Sequence, residues 1–297
     1  MDRIVSSDLA DWSAAAAEAG PIAAVEAGQV LHLPRLAFRL ASAEQALLDP
    51  ALLAPGVRNI SLDAQGRLKG AAGAADVQAS VAALMTRFAL QARMLVRGLF
   101  PAYDDHLQPA PTSLRPTEVS TRRQSLRADD RRLHVDAFPS RPNRGERILR
   151  VFTNVNPLGE PRVWRLGEPF EQVARRYLPV ATPYSAWQAQ VLDALHVTKQ
   201  LRSEYDHLML QLHDRMKADD EYQRSAPQQT IPFPAGSTWV CFSDQTVHAA
   251  MRGQHLLEQT FQLPVARQYD PAASPLAILT RLAGRPLAGA PLPSFRA

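Results

Sequence analysis

Short apolar runs bounded by turn clusters recur along this chain, at Glu118–Leu126, Leu133–Phe138, Ile148–Asn156 and Pro161–Leu166, then at Gln229–Phe233, Ser237–Asp244, His248–Arg252 and Leu256–Pro264. Between them lie Ala128-Asp-Asp130, Pro139-Ser-Arg-Pro-Asn-Arg-Gly145 and Pro157-Leu-Gly159. Runs of this length at this spacing suit an antiparallel sandwich or barrel. Prolines from Pro109 to Pro116 argue against regular structure there. The pattern is broken once, by helical sequence at Phe170–Tyr177, Ala186–Arg202 and Ser203–Gln223, which reads as an insertion between strands.

One of these runs carries chemistry. In Leu133-His134-Val135-Asp136 the imidazole and the carboxylate are two residues apart. Alternate side chains of an extended strand share a face, so the two project together. That supplies two corners of a metal site. His248 follows the strand that begins at Ser237 and is the best third ligand. Two histidines and one carboxylate, with the other positions open, form the facial triad of non-haem Fe(II) oxygenases. A bidentate 2-oxo acid would fill two open positions and dioxygen the third.

The remaining chain frames this core. Strands are predicted at Gly28–Pro34 and Ile60–Gly66, and a strand with a short helix across Leu36–Leu53. Val81, Leu84, Phe88, Ala92, Leu95 and Leu99 recur at helical spacing, which predicts a support helix from Asp76 to Leu99. A short helical run is expected at Leu276–Leu282. The fold expected is mainly β with helices, a double-stranded β-helix or jelly roll flanked by support helices and the helical insertion. We read 1–297 as one domain: N-terminal strands and support helix in 1–110, jelly-roll core in 111–168 and 229–264, insertion in 169–228 and tail in 265–297.

Composition narrows the partners. Hydrophobic residues make up 46%, enough for a substantial core. The lone cysteine, Cys241, cannot form an intrachain disulfide, and the N-terminus lacks a signal-peptide pattern, so a cytoplasmic location is expected. The net charge is +4 and lysine occurs only at 69, 199 and 217, so the cations are overwhelmingly arginine. Guanidinium forks grip carboxylates and phosphates at two points. Arg122, Arg123, Arg127, Arg131, Arg132, Arg141, Arg144 and Arg147 crowd around the His-x-Asp pair. Arg127 and Arg141 are the candidate contacts to an anionic substrate. No aromatic platforms are interleaved with them, which argues against nucleic acid.

Longer phrases carry a resemblance. Arg-Leu-His134-Val-Asp136-Ala-Phe-Pro-Ser-Arg-Pro-Asn, Arg-Val-Phe-Thr-Asn154-Val-Asn156-Pro, Tyr205-Asp-His-Leu-Met-Leu-Gln-Leu-His-Asp and Phe233-Pro-Ala-Gly-Ser-Thr-Trp-Val-Cys-Phe-Ser-Asp-Gln-Thr-Val-His248 resemble the bacterial Kdo 3-hydroxylases. The likeness runs from about residue 25 to about residue 265. It implies a double-stranded β-helix, Fe(II) held by His134, Asp136 and His248, and 2-oxoglutarate as co-substrate. It also implies hydroxylation of 3-deoxy-D-manno-oct-2-ulosonic acid (Kdo) in lipid A-linked precursors, by a peripheral protein at the inner membrane. In many such enzymes an arginine about ten residues past the distal histidine holds the 2-oxoglutarate tail. Here that window is Glu258-Gln259, so Arg150, with Asn154 on the same strand face, is the preferred cofactor-binding pair. Two alternatives stay open: a same-fold dioxygenase acting on another anionic small molecule, and a jelly roll that binds an anionic sugar without chemistry.

Overall fold

A computed structural model describes residues 2–14, 20–121 and 124–289. In chain order its elements are β1 (Ile4–Ser6), α1 (Gly20–Glu26), β2 (Val30–Leu33), β3 (Ile60–Leu62), β4 (Leu68–Lys69), α2 (Ala75–Leu99), β5 (Gln108–Arg115), β6 (Arg147–Asn154) and β7 (Arg162–Leu166). There follow α3 (Phe170–Tyr177), α4 (Ala186–Ala194), α5 (Glu204–Ala218), α6 (Asp220–Ser225), β8 (Gln229–Phe233), β9 (Thr238–Phe242), β10 (His248–Arg252), β11 (Leu256–Leu263) and α7 (Pro275–Ala283).

Two sheets face one another. The larger has the order β1-β2-β9-β6-β11-β5-β3-β4 and the smaller β10-β7-β8. Strands close in sequence thus fall in opposite sheets, the jelly-roll arrangement expected. An aromatic interior holds the sheets together: Phe233 stacks on Trp239 at 4.1 Å between centroids, and Trp239 on Phe152 at 5.5 Å. The outer face of the large sheet is covered by α2. Its buried Val81, Leu84, Phe88, Ala92 and Leu95 form the stripe that the sequence periodicity predicts.

The helical insertion is a core in its own right. Phe170, Val173, Tyr205, Met209, Leu212 and Tyr222 pack with Leu133, Val135, Val247 and Ala249. The alternation in Leu133-His134-Val135-Asp136 therefore splits one segment between two environments. Its apolar members anchor in the helical core, and its polar members face between the sheets.

Several local expectations are corrected. Gln108–Arg115, where prolines argued against structure, is strand β5, paired with β11 along most of its length. Its neighbour β3 reaches only Thr112–Leu114, and the ladder with β11 is irregular between Gln259 and Phe261. Pro109 and Pro111 fall where one side has no ladder partner, which is where a missing N–H is tolerated. Glu118–Leu126 is not a strand in its described part. The Glu118 carboxylate instead accepts from Ser120 N, Ser120 Oγ and Gly253 N. Leu133–Phe138 forms one bridge rather than a ladder, His134 opposite His248. Leu36–Leu53 holds two 3-10 turns, Ser42–Leu48 and Pro50–Leu52, and no strand. The long helix expected over Ser203–Gln223 breaks at Asp219, whose carboxylate accepts from Tyr222 N and starts α6. The helix expected over Ala186–Arg202 stops at Ala194.

Candidate metal centre

His134, Asp136 and His248 converge: all three are buried, with ligand atoms within 4.8 Å of one another. Backbone bonds set this up. His134 N donates to His248 O at 3.0 Å and His248 N to His134 O at 2.9 Å, while Asp136 N donates to Ser243 O at 2.9 Å. The extended segment is thereby fixed against both ends of the turn that joins β9 to β10.

Each imidazole is oriented by its other nitrogen. His134 Nδ1 lies 2.7 Å from Arg132 O, and His248 Nδ1 lies 2.8 Å from Thr246 O. A carbonyl only accepts, so both Nδ1 atoms carry protons and both Nε2 atoms keep a lone pair. His248 also stacks on Trp164 at 5.0 Å, and His134 meets His213 edge-on at 5.5 Å. Burial, reinforced by His248 and Lys217, holds the His134 pKa well below the usual value. Burial lowers that of His248 too, against the pull of Asp136. Neutral imidazoles are what a metal requires.

The carboxylate is kept charged. Burial alone would raise the Asp136 pKa, but Arg150, His248 and His134 more than reverse this, and it lies well below the carboxylate range. Arg150 Nη1 stands 3.2 Å from Asp136 Oδ2 and 3.3 Å from Glu258 Oε1. Two neutral nitrogen donors and one anionic oxygen, already aimed at one point, fit a divalent iron site.

The triad opens into a cavity of about 260 Å³, lined also by Arg58, Arg115, Arg150 and Arg162, by Asp130 and Glu258, and by Phe138, Phe152, Trp164 and Leu256. With Asp136, that sets four guanidiniums against three carboxylates. A groove of about 480 Å³ shares Arg115, Phe138, Arg150 and Glu258 with the cavity and runs on past Lys69 and Arg141.

The chain matches the family model for 3-deoxy-D-manno-oct-2-ulosonic acid (Kdo) hydroxylase over residues 10–286. The chain belongs to the Kdo hydroxylase family. Solved structures of the Kdo hydroxylase KdoO, a non-haem Fe(II) α-ketoglutarate-dependent dioxygenase, are 43% identical and cover all of both chains. The cobalt(II) complex superposes with a TM-score of 0.95, and the complex with α-ketoglutarate and Fe(III) with 0.94. A comparison with curated protein sequences found no match.

This Kdo hydroxylase fold places the other expected residues unevenly. Arg150 reaches the cavity but is committed to Asp136 and Glu258. Asn154 does not line it: its Nδ2 donates to Glu160 O and Phe233 O, and its Oδ1 accepts from Asn156 N. Asn154 holds loops together rather than a cofactor. Arg127 is also outside, exposed and paired with Asp214 at 3.0 Å. Arg141 is exposed on the groove. Arg122 and Arg123 lie outside the described residues.

Other lining residues went unread in the sequence. Glu258, in the window where an arginine was expected, inverts the charge there. It draws in Arg115 from β5 at 2.6 Å and Arg150 from β6. Arg162 and Trp164 come from β7. Their spacing, two apart in Arg-Val-Trp-Arg-Leu, was the available signal, since alternate residues face inward together.

Proposed function

We propose that this chain hydroxylates C3 of Kdo in lipid A-linked precursors or a related anionic glycolipid, as a peripheral protein at the inner face of the inner membrane. Family membership makes it an Fe(II)- and 2-oxoglutarate-dependent dioxygenase. One observation carries the finer reading: the His134–Asp136–His248 cluster lies at the base of an arginine-lined cavity that continues into a cationic groove. Kdo bears a carboxylate and lipid A bears phosphates, which guanidiniums grip. Among the described residues no helix is long and apolar enough to cross a membrane.

His134 Nε2, Asp136 and His248 Nε2 would hold the metal. Bound Fe(II), with 2-oxoglutarate and dioxygen, supplies the oxidising chemistry that turns a C–H bond into C–OH, with succinate and carbon dioxide as by-products. The chain itself orients and shields. Trp164 fixes the plane of His248, and Phe138, Phe152 and Leu256 keep the cavity walls apolar between the charges. Arg150 keeps Asp136 ionised.

We assign the 2-oxoglutarate tail to Arg162. Leu166 pairs with His248, so Arg162 lies four residues along β7, about 13 Å. An arginine side chain and a five-carbon diacid span that together. Arg162 Nη1 donates to Gly253 O at 2.7 Å. Gly253 has φ +114°, and a Cβ there would come within 2.9 Å of Arg162 Cα, so this glycine makes room for the arginine.

Arg162→Gln is expected to raise the half-saturating 2-oxoglutarate concentration at least about tenfold and leave that of the sugar nearly unchanged, as loss of a charge-assisted pair predicts. Arg150→Gln is expected to weaken iron loading instead. Should Arg162→Gln move only the sugar dependence, the assignment is wrong. The substrate reading is tested by mass spectrometry of Kdo–lipid A incubated with enzyme, ferrous iron, ascorbate and 2-oxoglutarate. The sugar should gain one oxygen atom only when every component is present. Oxidation of a small soluble acid with none of the glycolipid would overturn it.

A further inference from the structure

Three of the four tryptophans, Trp12, Trp164 and Trp239, are buried, but Trp187 exposes 70% of its surface. It lies on α4, a nine-residue helix that buries only Ala189. Isolated helices this short are unstable in water and usually persist by packing an apolar face. Here Trp187, Ala194 and Leu195 are exposed and Val191 is half-buried, so most of the apolar stripe points outward. Trp187, Val191, Ala194 and Leu195 recur at i, i+4, i+7 and i+8, one stripe of the helix and its end. Leu195 is 69% exposed, and Val180, Val197 and Leu201 extend the exposed apolar surface on either side. Clustered exposure of this kind marks a surface that meets something.

Two further observations say what. The turn after α4 is tied to the mouth of the cavity: Lys199 N donates to Ser140 O at 2.9 Å, and Arg202 Nη2 to Pro139 O at 2.7 Å. Those carbonyls directly follow Phe138, which lines both cavity and groove. The surrounding charge is also one-sided. Segments 138–145 and 178–202 carry Arg141, Arg144, Lys199 and Arg202 against Asp193 alone. An exposed apolar stripe with an indole, in segments that carry four cations and one anion, suits the interface of an anionic bilayer: the indole sits at headgroup level and the cations meet phosphates.

We propose that α4 and the turn following it seat the protein on an anionic lipid surface, which brings the cavity mouth up against the bilayer. This rests on the reading that the substrate is lipid-linked. It adds the element that does the docking.

The test uses the full chain and vesicles of phosphatidylethanolamine and phosphatidylglycerol, with no sugar present. Trp187 emission should shift to the blue on adding these vesicles. The protein should co-sediment with them, less so at high salt and on phosphatidylcholine alone. A Trp187→Ser/Leu195→Ser variant should bind at least tenfold more weakly, keep its circular dichroism, and take up iron as the wild type does. Equal binding by wild type and variant, or no emission shift, overturns the proposal. So does a wild-type dimer that the variant converts to monomer, which would make the stripe a self-association face. Docking without oxidation of Kdo–lipid A removes the substrate reading alone; oxidation without docking removes this proposal alone.

Discussion

His134→Ala should abolish iron binding and turnover while the fold survives. Loss of an outer hydrogen-bond partner to a metal ligand typically costs about 10–100-fold in affinity or activity, and removing a ligand itself should cost more than that. The fold survives because the main-chain pair between His134 and His248 does not involve the side chain. The lost imidazole also borders a cavity, so its space joins an existing one rather than opening a sealed void. Asp136→Asn should do the same by another route. It keeps the shape but removes the anion that Arg150 faces at 3.2 Å. Metal analysis, succinate release and thermal melting of both variants check this. Wild-type turnover by either, in metal-controlled buffer, rules out the triad.

The pairing of His134 with Asp136 was legible in the sequence because strand alternation is local. A His-x-Asp pair projects to one side whether the segment forms a ladder or, as found, a single bridge. The distal histidine was picked out by its place after the strand that begins at Ser237, and the long flanking phrases agreed with it. The cavity's other residues were not legible, because each depends on register between distant strands. Arg162 faces the site only because β7 pairs with β10 so that Leu166 sits opposite His248. Glu258 lies opposite Phe152 of β6 and Ser113 of β5, which brings Arg115 and Arg150 to its carboxylate. Asn154 misled for the opposite reason. It has the right strand parity, but its amide is spent on carbonyls of two neighbouring segments. Pro109 and Pro111 misled because their exclusion from strands is conditional on ladder partners on both sides, and β3 does not reach them.

Asp244→Ala should destabilise the fold more than the loss of any one metal ligand does. Asp244 and Arg147 are both fully buried, with Arg147 Nε donating to Asp244 Oδ2 at 2.8 Å. Arg147 Nη2 donates to Gln245 Oε1 at 2.6 Å, and the guanidinium lies over the Phe242 ring at 3.9 Å. Asp244 Oδ1 accepts from Ile148 N. Removing the carboxylate leaves a buried guanidinium without its anion, which costs about 3–5 kcal/mol, out of a typical total of about 5–15 kcal/mol. The effect reaches the site, because Ser243 and Thr246 in the same turn give the carbonyls that position Asp136 N and His248 Nδ1. A fall in the urea midpoint at constant slope measures it, and iron affinity should drop with it. Arg147→Met/Asp244→Val separates the causes. An apolar pair of similar volume should recover most of the loss, because no charge then needs a partner. If the double variant is no more stable than Asp244→Ala, the unpaired guanidinium is not the source, and the bond to Ile148 N is.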